Sequence, residues 1–195
     1  MRGTILVVLL SMSATGAAQP GLQIAVDPQF ESQAWWMHTT LEPTGSEVRG
    51  IPIEEFDSGW CAADEITLDA FPAAIRTGGP WPLEAMVGQG RSPFSAEGDF
   101  GSGERLEVFI GAYRTCTGET RNFLAVFAPA RSQGRIVQVE SISAGKAVFQ
   151  YLAVDADGTG LRIYSCLACD DMGRRYLWSD ASGTFELQPH VDETG

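Results

Sequence analysis

From Phe94 onward, short apolar runs recur at close spacing, most of them separated by turns rich in Gly, Ser, Thr or Asp, and this pattern constrains the fold more than anything else in the chain. Leu106 to Tyr113 and Phe123 to Ala128 are strongly apolar, with the polar stretch 114–121 between them as a hairpin loop. Arg135 to Ile142 alternates: Ile136, Val137, Val139 and Ile142 stand against Gln138, Glu140 and Ser141. Ala147 to Val154, Leu161 to Ser165, Tyr176 to Trp178 and Thr184 to Leu187 follow, the last two joined by a turn at 180–183. Runs this short cannot bury a helical face, but they suit strands that alternate between core and solvent. The expected class is α+β, mainly β: an antiparallel sheet, sandwich or barrel of about eight short strands with one helix.

That helix is expected near residues 59–71. Asp57-Ser58 offers an N-cap, and Trp60, Ala63, Leu68 and Phe71 fall three to five residues apart. Pro72 forces Phe71 out of helical geometry and ends it. Upstream, Ala34 to Leu41 has the aromatic and β-branched content of a strand. Val48 to Ile53 reads as a short return strand, held to an edge by Pro52. Residues 78–91 are dense in Gly and Pro and form a loop or boundary.

The N-terminus sets the compartment. Arg2, the apolar run Ile5 to Leu10 and the small residues before Gln19-Pro20 have the layout of a secretory signal peptide, cleaved after Ala18 or after Ala17. The run is far shorter than the ~20 residues of a membrane span. No Cys stands at the cleavage position to carry a lipid. The expected organisation is a signal peptide at 1–18 and one globular domain at 19–195, with a strand-and-helix part to residue 91 and a β-rich part over 92–188. The expected location is a bacterial periplasm.

The full chain carries 13 basic and 25 acidic residues, a net charge of −12, and loses a further positive charge with Arg2. Such a protein is repelled by nucleic-acid phosphates and anionic lipid, which leaves a basic protein or a cationic ligand as the expected partner. Cys61, Cys116, Cys166 and Cys169 in an oxidising compartment predict disulfides. The preferred pairing is Cys61–Cys116 with Cys166–Cys169, the second closing only a short local loop.

Two glycine-rich loops repeat. Gly101-Ser102-Gly103 precedes the strand from Leu106, Gly158-Thr159-Gly160 precedes the strand from Leu161, and Asp99 and Asp155 stand just upstream of each. Over about a dozen residues each copy resembles the loop of integrin-type FG-GAP propeller repeats. A propeller needs at least four four-stranded blades, more than this chain supplies, so the pattern predicts two similar hairpins in one sheet.

Chemical motifs are sparse. In Cys166-Leu167-Ala168-Cys169 a redox thiol would want a helix N-terminus, whereas Asp170 and Asp171 follow and oppose thiolate formation. A zinc site would need two further ligands from Cys61, Cys116, His38, His190 or acids, none with paired spacing. The Asp155 loop lacks the oxygens that a calcium loop requires at its fifth and twelfth positions, Thr159 and Cys166 here, and reads as a turn. Glycine-elbow, zinc-protease and phosphate-loop motifs are absent, and no cofactor is implied. Adjacent acids at Glu54-Glu55 and Asp64-Glu65 are expected by chance among so many acids. The reading is a non-enzymatic binding or accessory protein of the cell envelope, a partner or inhibitor of a basic secreted protein, with Trp35, Trp36 and Trp81 as candidate binding aromatics. The rival is a small periplasmic enzyme, a carboxylate hydrolase or a dithiol oxidoreductase using Cys166 and Cys169.

Overall fold

The computed structural model describes residues 21–30, 34–72, 92–129, 134–167 and 173–189. Trp81, Cys169, His190 and residues 1–20, which include the expected signal peptide, lie outside them. Over these described residues the protein is mostly β, with several antiparallel sheets and no closed barrel.

The centre is the hairpin of β7 (Leu106–Thr115) and β8 (Thr120–Ala128), which turns at residues 116–119. β9 (Arg135–Ser141) pairs along the far side of β8. The other side of β7 is shared. β6 (Ser95–Gly98) pairs its first half, and β5 (Trp60–Glu65) pairs its second. A four-stranded meander follows in the order of the chain: β10 (Tyr151–Val154), β11 (Gly160–Tyr164), β12 (Arg174–Ser179) and β13 (Thr184–Leu187). Two ribbons complete the set: β1 (Gln23–Val26) with β2 (Thr39–Glu42), and β3 (Glu47–Val48) with β4 (Ile51–Pro52).

Strict alternation in β7 and β8 produces two cores. Leu106, Val108, Ile110 and Ala112, with Leu124, Val126 and Ala128, point to one face, where Leu152, Leu161, Ile163, Tyr176 and Phe185 of the meander meet them. Phe109, Tyr113, Phe123, Ala125 and Phe127 point to the other face, under Val48, Ile51, Ile53 and Trp60. The central hairpin is therefore buried on both sides, which is why its sequence is almost continuously apolar. Gly111 is part of this packing: a Cβ there would strike the Phe123 ring and lie 2.6 Å from the Asp64 carbonyl oxygen.

Side-chain amides tie the two sheets together. Gln138 on β9 accepts from the Phe185 N–H (2.8 Å) and donates to the Phe185 carbonyl (2.9 Å), acting as one more ladder rung on the open side of β13. Fully buried Asn122 does the same for Val148, at 2.8 and 3.0 Å. Each clamp satisfies backbone groups that would otherwise be buried unpaired.

Several expectations are corrected. No helix occupies 59–71: Trp60–Glu65 is strand β5, followed by a single 3₁₀ turn at Leu68–Ala70. The cause is a β-bulge between Trp60 and Ala62, which brings Trp60 and Ala63 to the same core face. The bulge inserts one residue into a period of two, and the resulting spacing of three imitates a helix. Ala34 to Leu41 is not one strand, since Trp35–His38 is a 3₁₀ turn and only Thr39–Glu42 extends. The twin glycine loops are hairpin turns, as the spacing suggests, but of different sheets: β6–β7 and β10–β11. The strands also number more than about eight, because the short ribbons and β6 carry weak patterns.

Candidate functional site

Three of the four cysteines lie among the described residues. Cys61 sits at the β5 bulge and is bonded to Cys116 in the β7–β8 turn, with Cα atoms 4.9 Å apart. Cys166 is also disulfide-bonded. Among the described residues no cysteine is free and no group of three or more His, Cys, Asp or Glu side chains could hold a metal ion.

The candidate binding tryptophans separate. Trp35 is only 6 % exposed and packs into the main core, edge-on to Phe149 at 4.9 Å and Phe71 at 5.8 Å. It is a core residue, since a ring with aromatic neighbours on several sides presents no face to a ligand. Trp36 is half-buried and edge-on to Trp35 at 6.0 Å. Trp81 lies outside the described residues.

Two polar constellations remain. On the outer face of the meander, Arg162 and Arg175 stand directly opposite each other on β11 and β12. Like charges in that register repel, and Asp155 resolves the conflict. Its carboxylate, 10 % exposed, accepts from Arg162 Nε at 2.9 Å and Arg175 Nε at 2.7 Å. Gly160 leaves room for it, because a Cβ there would lie 2.7 Å from Asp155 Oδ2. Beside them Tyr151 and Tyr164 stack at 4.9 Å. Burial, reinforced by Tyr164, pushes the Tyr151 phenol up. Asp155 is thus more than a turn residue. Asp157 makes the local turn instead, accepting from the Thr159 N–H at 3.0 Å as Asp99 accepts from Gly101 at 2.9 Å. These bonds hold the Asp157 carboxyl below the usual range.

The second constellation is a surface groove of ≈ 430 Å³ at the end of the β1–β2 ribbon. Ala25, Val26 and Asp27 form one side, and Met37, His38, Thr39 and Thr40 the other. Lys146, the single lysine of the chain, closes it from the loop before β10. Asp27 is turned to its own chain, accepting from Gln29 N at 3.1 Å and Gln29 Nε2 at 3.0 Å. Met37 is the most exposed large apolar side chain among the described residues, at 69 %. Sequence reasoning found His38 but passed over Lys146, whose only signal is being the single lysine.

The β3–β4 hairpin and the 3₁₀ turn Ile53–Glu55 that follows it concentrate negative charge. Glu47, Glu54 and Glu55 are exposed and make no ion pair. Arg49, in the turn of that hairpin, is already committed. It pairs with Glu65 at 2.8 Å and Glu107 at 2.7 Å and lies 4.2 Å over the Phe109 ring. Burial alone would lower its pKa, but the two carboxylates outweigh that and raise it.

No protein-family model matches the chain, and neither a curated protein nor a solved structure matches it. No helix among the described residues is long and apolar enough to cross a membrane.

Proposed function

We propose that this is an exported binding or accessory protein of the bacterial envelope whose acidic surface engages a basic protein. The observation that carries the reading is the distribution of its charge. Arginines 49, 105, 121, 135, 162 and 175 are each neutralised by carboxylates within the fold. The excess acids, including Glu42, Glu47, Glu54 and Glu55, face solvent without cationic partners. A surface of that kind steers a positively charged protein and selects against nucleic acid. The Cys61–Cys116 bridge suits an oxidising compartment. A second bridge, Cys166–Cys169, and the signal peptide at 1–18 belong to the same proposal.

The test has two parts. Fractionation of expressing cells should recover the protein in the periplasm with Gln19 as its first residue. Immobilised protein should then retain basic envelope proteins at low ionic strength, and the triple variant Glu47→Lys, Glu54→Lys, Glu55→Lys should not. Cytoplasmic recovery of the full-length chain, or equal retention by the triple variant, overturns the proposal.

A further inference from the structure

We infer that the β3–β4 hairpin is a hinged flap over the second core, latched at its tip by Arg49 and released by salt. The device does not depend on what the acidic surface binds. Both ends of the flap are pinned beside β5. At one end the Asp64 carboxylate accepts from the Thr44 and Gly45 N–H groups at 2.7 and 3.0 Å, and the Ala63 N–H donates to the Gly45 carbonyl at 3.0 Å. At the other end the Trp60 N–H donates to the Asp57 carbonyl at 3.1 Å, and the chain runs into β5. Between these ends the hairpin is a separate two-stranded ribbon, with Glu47 opposite Pro52 and Val48 opposite Ile51. Among the described residues no backbone hydrogen bond ties that ribbon to the main sheet. A ribbon so short is not stable by itself.

Two things hold the flap down. Val48, Ile51 and Ile53 on its underside are buried in the second core. At the tip, Arg49 forks onto Glu65 of β5, with Nε and Nη2 each at 2.8 Å, and its Nη1 reaches Glu107 of β7 at 2.7 Å. The guanidinium also lies over the Phe109 ring. One side chain thus fastens the tip to two strands of the main sheet. The turn alone would not select it. Arg49 and Gly50 have φ of 55° and 76°, a tight two-residue hairpin turn whose first position favours Asn, Asp or Gly. An arginine in that conformation is strained, and its side-chain contacts offset the strain. Arg49, Glu65 and Glu107 are all partly exposed, so dissolved ions reach them. Sodium chloride screens the latch but not the apolar contacts beneath the flap. Opening of the flap therefore grows with ionic strength, even where the whole protein gains stability from weaker self-repulsion.

Amide hydrogen exchange of the oxidised protein, followed by NMR, tests the device. The Ile53 N–H donates to the Ser46 carbonyl at 3.1 Å within the flap and reports its opening. The Ile110 N–H donates to the Phe94 carbonyl at 2.9 Å in the main sheet and serves as the internal reference. Between about 0.02 and 0.5 M sodium chloride, exchange at Ile53 relative to Ile110 should rise at least about fivefold. Arg49→Asn suits the turn and removes the latch. At low salt it should speed Ile53 relative to Ile110 at least about tenfold, and it should abolish the salt dependence. Glu107→Gln, which takes away one of the two carboxylates, should fall between the two proteins. Equal protection of Ile53 and Ile110 in the native protein, a ratio that does not change with salt, or equal acceleration of both amides in Arg49→Asn would overturn the inference.

Discussion

At the scale of single residues, the fold depends on polar groups that look unremarkable in the sequence. Asp155 holds two arginines that the strand register sets opposite each other. Asp155→Asn should destabilise by about 1–3 kcal/mol in denaturant unfolding, through two charge-assisted hydrogen bonds lost and a cross-strand repulsion uncovered. A change within error would mean that solvent screens the pair. Tyr176 gives a pH signature. Burial, with the Glu140 carboxylate adding to it, pushes its phenol up to about 12 from an ordinary value of 10.0. The folded protein therefore keeps a proton that the unfolded chain releases. Stability from this group is complete below about pH 10 and is lost as pH rises toward 12, amounting to about 2–3 kcal/mol. Tyr176→Phe should flatten that part of the stability–pH curve, whereas an unchanged slope would assign the alkaline loss to other groups.

At the scale of elements, the sequence was readable where strands are long and buried on both faces, and misleading where one residue breaks the period. β7 and β8 coincide closely with their apolar runs because alternation there meets a core on each face. β5 imitates a helix because the bulge at Cys61 changes the spacing of Trp60 and Ala63, and nothing local in the chain marks the bulge. It is defined by pairing with β7, a contact far away in sequence. The ribbons β1–β2 and β3–β4 are too short to carry periodicity. The groove at the end of the β1–β2 ribbon leaves no local signal in the sequence for a related reason: its residues come from three separate segments. Two predictions belong here. Gly111→Ala should cost about 3 kcal/mol, since the Phe123 ring and the Asp64 backbone leave no space for a methyl. Reducing Cys61–Cys116, or replacing both with Ser, should cost about 4 kcal/mol by releasing a chain closure of 55 residues. Equal denaturation midpoints for the oxidised protein and the double Ser variant would show that the β5–β7 ladder alone fixes that edge.

At the scale of the whole molecule, one sheet serves two cores. The meander covers one face, the β3–β4 hairpin covers the other, and the amides of Gln138 and Asn122 couple the layers. Such an arrangement leaves little apolar surface outside, and what distinguishes the exterior is its charge. Self-repulsion follows from the net charge of −12, so added salt should raise the melting temperature by a few degrees between about 0.01 and 0.2 M. A melting temperature that falls with salt would indicate that the ion pairs of the arginines outweigh the repulsion among unpaired acids.

The central claim is that the unpaired acids of the β3–β4 hairpin and its surroundings form a recognition surface for a basic protein. The most direct measurement is the affinity of one retained basic envelope protein as a function of salt, for the native protein and for the triple charge-reversal variant. The account predicts a dissociation constant that rises steeply with ionic strength for the native protein, and binding at least about tenfold weaker for the variant at low salt. An affinity that is independent of salt, or equal in the two proteins, would contradict it.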